Sequence, residues 1–432
     1  MRVLLLAEAC NPDWTSVPLV GFNMAAALAA RPGLDLTLVT NARNRAALEA
    51  HPISRRVSIE FIDTEWISGP AYRLGTLLRG GRSLGWTTAM ALNWPGYVSF
   101  ERQVGRRFGP DLRAGRFDLV HRLTPLSPTL PSLLAGRFET PLLLGPLNGG
   151  LPWPREFPEL RAKEREWLVP LRRLSRHLPG WKRTFREAAG VITASRHTAT
   201  EIPASCHGRR FHLPENGIDP DRFAIADDWT PPGRAWEFVT VGRLVPYKGM
   251  DLAIEALATV DGTSRLTIIG DGPERKRLLS IASRLNVSDR VSFTGWLPQQ
   301  ELAARLRSSQ AFLFPTLREF GGGVALEAMA SGLPSIIVDY GGPAELVDGD
   351  CGIKVPMSSR ETLVPALAGA MRQLLGDWAM SAEMGRTAAQ RVRDRHVWSA
   401  KADHITRIYR QLVTTAPGHA AQCPPVPETQ PC

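Results

Sequence analysis

Three features of this sequence predict an α/β protein built from two parallel-sheet halves. Apolar, β-branched runs alternate with amphipathic helical patterns along the chain, the alternation starts afresh at Trp236, and 432 residues suffice to bury two cores. In the first half Val3–Leu6, Leu36–Thr40, Ser58–Ile62, Leu119–His121, Pro141–Leu144 and Gly190–Ala194 read as strands, with helices such as Phe22–Ala30 between them. In the second half the strands are Trp236–Gly242, Arg265–Gly270, Arg290–Thr294, Ala311–Pro315 and Pro334–Val338. Helices at Asp251–Ala258, Pro273–Leu285, Gln299–Leu306 and Val324–Ala330 alternate with them. Two Rossmann-like halves in one chain imply a cleft between them.

Turn residues cluster in Leu213-Pro214-Glu215-Asn216-Gly217-Ile218-Asp219, which places the join there. The expected division is an N-terminal domain over residues 1–210 and a C-terminal domain over 211–395. Trp398, Ile405, Ile408, Tyr409 and Leu412 share helical spacing, so residues 396–413 are read as a terminal helix crossing back over both domains. Residues 414–432 are Pro-rich and aperiodic, and are expected to be disordered.

With 44% hydrophobic and 22% charged residues the chain is neither a disordered nor a fibrous protein. Glu8, Asn11 and Asp13 cut the first apolar run short, so it reads as a buried strand rather than a signal peptide. No window approaches the roughly 20 apolar residues of a membrane span. The five cysteines are widely spaced and lack a Cys-x-x-Cys pair, which fits a reducing cytosol better than a disulfide framework or a zinc site. The formal charge of +10 is lopsided: residues 1–215 carry 29 Lys and Arg against 18 Asp and Glu, and the remainder 23 against 24. Such asymmetry suits an anionic surface met by one half only, a membrane face or nucleic acid, or else an Arg-rich solvated surface.

The strongest chemical signal is Phe314-Pro315-Thr316-Leu317-Arg318-Glu319-Phe320-Gly321-Gly322-Gly323-Val324-Ala325-Leu326-Glu327. A strand ends at Pro315, a loop presents Glu319, and Gly321, Gly322 and Gly323 allow close backbone approach before a helix opens at Val324. The helix N-terminus favours an anion, and Glu327 returns to the same edge one turn later. One carboxylate there suits a sugar and the other a ribose. The second constellation is Val241-Gly242-Arg243-Leu244-Val245-Pro246-Tyr247-Lys248-Gly249, where two cations follow a strand in a chain with only six lysines.

These residues resemble the retaining glycosyltransferases of family 4, which have the GT-B fold and carry Glu-x7-Glu followed by a small-residue helix and Gly-x-Pro. Here the pattern reads Glu319-x7-Glu327, then Ala328-Met329-Ala330-Ser331-Gly332-Leu333-Pro334. The resemblance implies an acceptor-binding N-terminal domain and a C-terminal domain for a nucleotide-diphosphate sugar. It gives Glu319 contacts to donor-sugar hydroxyls, Glu327 the ribose, and Arg243 and Lys248 the departing diphosphate. It also places Trp296 beside the base, Gly342 near the donor and His121 near the donor sugar and acceptor. Gly270, in Gly270-Asp271-Gly272-Pro273, is a cofactor-side candidate, although this lone Gly-x-Gly suits a structural turn better. Of the family's glycine-rich loop after the first strand only Gly21 remains, so that loop either wraps the diphosphate or shapes the acceptor pocket.

No Asp-x-Asp follows a strand and no His/Cys cluster has ligand spacing, so neither a metal nor another cofactor is expected. The stretch from Arg155 to Arg186 carries ten basic residues against four acidic ones, and Leu171, Leu174 and Leu178 with Trp167 and Trp181 suit a helix lying on anionic lipid or, since Pro170 and Pro179 limit its length, an ordinary surface helix. The expected function is hexosyl transfer, retaining and metal-independent, to a glycan or polyprenyl-linked acceptor in envelope or exopolysaccharide synthesis. The expected place is the cytoplasm, peripheral at the membrane. The rival readings are a GT-B epimerase or hydrolase, a catalytically dead sugar-nucleotide sensor, and a nucleic-acid binder using the basic half; the last lacks any recognisable base-reading motif.

Overall fold

The computed structural model describes residues 1–70, 86–163, 175–231, 233, 235–260 and 262–414. Within them the N-terminal half forms a parallel sheet of strands β1 (Arg2–Ala7), β2 (Asp35–Asn41), β3 (Ser58–Ile62), β4 (Leu119–Thr124), β5 (Leu142–Leu147), β6 (Gly190–Thr193) and β7 (Arg209–His212), in the order β3-β2-β1-β4-β5-β6-β7. The C-terminal half forms a second parallel sheet from β8 (Trp236–Val241), β9 (Ser264–Ile269), β10 (Val291–Gly295), β11 (Ala311–Phe314), β12 (Ser335–Asp339) and β13 (Gly352–Pro356), ordered β10-β9-β8-β11-β12-β13. Strand β1 is buried along Val3–Leu6 because helices cover both faces of its sheet, which is why it reads as an unbroken apolar run. The strand order reverses between β1 and β4 in the first sheet and between β8 and β11 in the second. At such switch points the loops leaving the strands part and open a crevice.

Helices fall close to their expected places: Val17–Ala29, Met250–Ala258, Arg275–Arg284, Gln299–Arg307 and Gly323–Ala330. Two strands escape the sequence pattern. β7 (Arg-Arg-Phe-His) lies at a sheet edge with no fully buried residue, and β13 carries Gly352, Lys354 and Pro356, so neither shows a β-branched run.

The expected boundaries need correcting in three places. β7 continues the first sheet to His212, so a division at residue 210 cuts a strand. Phe157 and Leu160, expected in the N-terminal domain, are buried in the core of the C-terminal one, because the segment after β5 crosses the cleft before the chain returns to β6. The terminal helix runs Trp398–Thr414 and buries Trp398, Ile405, Ile408, Tyr409 and Leu412 in the N-terminal core rather than against both domains. The crossing itself is made by the π-helical turn Val392–His396 and by Val397, which pairs with Ile218. Ile218 N–H donates to the His396 carbonyl at 2.8 Å and Trp398 N–H to the Ile218 carbonyl at 3.1 Å, so both interdomain passages run side by side.

Part of the basic stretch, residues 164–174 with Leu171 and Leu174, lies outside the described residues, as does the tail from 415. Trp181 and Phe185 are buried in the N-terminal core, which removes them from any membrane-facing surface. Among the described residues no helix is long and apolar enough to cross a membrane.

Candidate active site

A cavity of about 610 Å3 lies between the domains, and its walls come from loops that follow strand ends and from the opening turns of helices Val17–Ala29 and Gly323–Ala330. Thr15 and Ser16 follow β1, Leu126 follows β4, Asn148 and Gly149 follow β5, Lys248 follows β8, Trp296 follows β10, and Glu319 to Gly322 follow β11. Lys248 and Glu319 therefore meet at the switch point of the second sheet, where Lys248 Nζ donates to Glu319 Oε2. The Lys248 ammonium also lies 5.4 Å from the centre of the Phe314 ring, at the end of β11. Gly249 closes the lysine loop at φ 67°, and a Cβ there would stand 2.2 Å from the Pro315 carbonyl oxygen, so the two loops approach as only glycine permits.

Helix Gly323–Ala330 opens onto the cavity, and Gly322 caps it at φ 63°. Gly323 and Val324 line the wall, where first-turn N–H groups lack intrahelical acceptors. Glu327 projects from the next turn into the same cavity, and burial pushes its carboxyl up to about 7. Trp296 lines the cavity with its side chain 76% exposed, leaving a ring face open for stacking.

Glu319, Lys248, Glu327, Gly321, Gly322, Gly323, Val324 and Trp296 thus share one cavity. The other candidates do not line it. Arg243 is exposed at the end of β8, and no ion pair holds it among the described residues. His121 is corrected from a catalytic to a structural residue. β4 runs on to Thr124 and leaves His121 in the strand interior, fully buried, with Nδ1 2.6 Å from the Tyr409 hydroxyl and Nε2 2.6 Å from the Gly145 carbonyl. Burial lowers its pKa to about 4, so the ring is neutral and joins the terminal helix to the sheet. At three glycines outside the cavity wall, packing by itself requires the missing side chain. A Cβ at Gly21 would stand 2.3 Å from the Ala9 oxygen, at Gly270 2.1 Å from that of Gly242, and at Gly342 1.9 Å from that of Phe320.

The structure adds residues at and below the wall that no motif or spacing singles out. Glu215, in the interdomain turn, is buried at the cavity edge, its Oε1 accepting from Asn148 Nδ2 at 2.6 Å. Burial raises its pKa. Beneath it Lys401, buried on the terminal helix, donates to the Pro214 carbonyl at 2.6 Å. Ser16 adopts φ 63°, ψ −136°, a strained conformation for a residue with a side chain, at the mouth of helix Val17–Ala29. A second cavity of about 500 Å3, largely apolar, shares Val17 and Leu126 with the first and extends into the N-terminal domain past Trp14, Pro125 and Leu130 to Glu8 and Arg43.

Residues 221–391, which hold the Lys248 and Glu319 loops, match the model of the glycosyl transferases group 1 family. Over 289 residues the chain is 31% identical to a GDP-mannose-dependent alpha-(1-6)-phosphatidylinositol monomannoside mannosyltransferase of Mycolicibacterium smegmatis, an alignment that takes in 62% of this chain and 72% of that protein. The chain belongs to the group 1 glycosyl transferases. It is also 34% identical over 231 residues to glycogen synthase of Mycobacterium tuberculosis, covering 52% of this chain and 54% of that enzyme, so it spans about half the length of this relative. Sucrose-phosphate synthase of Thermosynechococcus elongatus superposes with a TM-score of 0.67 at 20% identity, over 95% of this chain and 98% of that one. The fold is accordingly GT-B, with Lys248, Glu319 and Glu327 on the cleft wall of the second domain.

Proposed function

We propose that this group 1 transferase is a retaining, metal-independent glycosyltransferase of hexosyl type, moving a sugar from a nucleotide-diphosphate donor to a glycan or lipid-linked acceptor in envelope or exopolysaccharide synthesis. The observation that carries the reading is the convergence of Lys248, Glu319, Glu327 and the N-terminus of helix Gly323–Ala330 on one interdomain cavity. Lys248 and the first-turn N–H groups supply positive charge for the diphosphate, the task a metal ion would otherwise perform. Glu319 accepts from sugar hydroxyls and Glu327 from the ribose, while Trp296 offers a face to the base. Two carboxylates beside one lysine suit a polyhydroxylated ligand and oppose a nucleic-acid backbone, which disfavours the binding-protein alternative.

From the N-terminal domain the cavity receives Thr15, Ser16, Val17, Val20, Leu126, Asn148 and Gly149, none of them a carboxylate, and the Glu215 carboxyl at its edge is held by Asn148. That supports reaction on a single face of the sugar. The bond from the anomeric carbon to the phosphate oxygen breaks, the acceptor hydroxyl oxygen bonds to the same face, and the leaving phosphate takes the hydroxyl proton. The adjoining apolar cavity is the place for the acceptor, and the positive N-terminal half draws the enzyme to anionic lipid at the inner membrane face. Because Trp181 and Phe185 are buried, that attraction rests on charge.

A thermal-shift screen of nucleotide sugars, followed by mass spectrometry of products from polyprenyl-linked acceptors, tests the proposal. Stabilisation by one nucleotide-sugar class and a mass gain of one sugar are expected. Donor consumption that yields only free sugar or an epimer refutes transfer.

A further inference from the structure

We infer that Trp153, on a strap sent across from the N-terminal domain, is a positioning residue for the Lys248–Glu319 pair, with Arg318 as its partner. The strap leaves β5 through Asn148 and Gly149 on the cavity wall and plants Phe157 and Leu160 in the core of the other domain. Between these two anchorages the Trp153 ring reaches both loops of the site from behind. Its centroid is 6.1 Å from that of Tyr247, edge to face, and Tyr247 immediately precedes Lys248. The Arg318 guanidinium lies 4.3 Å from the Trp153 ring centre, and Arg318 immediately precedes Glu319.

Arg318 is itself fixed on several sides. It is buried, its Nε donates to the Leu151 carbonyl of the strap at 3.1 Å, and its other flank rests 4.9 Å from the Phe320 ring centre. The strap is tied once more where the Tyr340 hydroxyl donates to the Pro152 carbonyl at 3.0 Å. Gly342 N–H donates to the Glu319 carbonyl at 3.0 Å, closing the other side of the loop. One indole thus buttresses the cation and the carboxylate together, from a segment belonging to the opposite domain. The spacing of the pair is therefore set by the relative placement of the domains, through a planar cation held between rings for which Lys is a poor substitute.

The inference rests on the donor reading of this cavity. Its test compares the affinity of the full-length protein for UDP with that for UDP-glucose, and for GDP with that for GDP-mannose, by calorimetry. Wild type is expected to gain affinity from the sugar of one pair. In Trp153→Ala and Arg318→Lys that gain falls about tenfold while nucleotide affinity holds within about twofold, and Trp153→Phe restores it. Thermal melts accompany each variant, and Arg318→Lys carries the comparison if Trp153→Ala does not fold. An unchanged sugar gain in Arg318→Lys overturns the assignment, as does equal loss of nucleotide and sugar affinity, which marks a residue needed only for folding. Wild type that binds neither nucleotide overturns the donor reading and this assignment with it. Nucleotide binding with no gain from either sugar overturns the assignment alone.

Discussion

Replacing Glu327 with Gln should stabilise the protein at high pH and weaken its hold on a nucleotide. In the fold, burial lifts the Glu327 carboxyl from 4.5 to about 7. A carboxyl whose folded pKa is raised costs nothing below the unfolded value, where it is protonated in both states, and its full penalty appears above the folded value. Stability supported by the protonated group is thus complete below about pH 4.5 and is lost as pH rises through about 7. At about 1.4 kcal/mol for each pKa unit, the ionised group costs at most about 3 kcal/mol above that range. Glutamine is neutral throughout, so Glu327→Gln should match wild type near pH 4.5 and exceed it by up to about 3 kcal/mol near pH 8. Urea unfolding of both proteins across that range measures the difference directly. The same variant should bind nucleoside diphosphate about tenfold or more weakly at pH 8, because the ribose hydroxyls lose a charged acceptor. A stability difference that stays flat between the two pH values refutes the desolvated carboxylate. A variant that gains stability and keeps nucleotide affinity refutes the ribose contact.

Ser16→Gly should raise stability by about 1 kcal/mol in the same unfolding assay, since glycine occupies φ 63° without the strain a side chain imposes; a loss of stability would show that the serine side chain more than offsets its strain. Transfer activity should persist in excess EDTA, with Lys248 and the helix N-terminus serving the diphosphate; loss reversed by magnesium or manganese would overturn the metal-free mechanism. The protein should co-sediment with anionic vesicles at low salt and release as salt rises, since each Lys or Arg near the surface contributes roughly 1 kcal/mol that ions screen. Indifference to anionic lipid at low salt would leave a soluble acceptor as the better reading.

The sheets were legible because parallel strands covered by helices on both faces must be apolar along their whole length, as Val3–Leu6 and Ala311–Phe314 are. Where that condition lapses the pattern lapses as well: β7 sits at an edge and needs no apolar run, and β13 ends on Pro356. The strap was illegible for another reason. Phe157 and Leu160 are ordinary amphipathic positions in their own segment, and only the crossing of the chain decides which core receives them. Boundaries drawn from local pattern assign such a segment to its neighbours in sequence.

The same division runs through the site. Glu319, Lys248 and the glycines after Glu319 were legible because they follow strand ends, where topology delivers residues to the cleft whatever the rest of the chain does, and Glu327 because it lies one turn into the helix that those glycines open. His121 was misread because residue type and proximity to a strand end do not reveal where the strand stops; three more residues of β4 turn a cleft residue into a core one. Lys401 looks like the solvated face of an amphipathic helix, and Glu215 like a turn residue. Both are buried only because the terminal helix returns over the interdomain turn, leaving the Lys401 ammonium to the Pro214 carbonyl and the Glu215 carboxylate to Asn148. Residues that touch a ligand are written into short motifs, since the ligand sets their spacing. Residues that fix the distance between two domains answer to a contact that forms only once both have folded, and here it is those residues, Trp153 and Arg318 among them, that hold the cation and the carboxylate together.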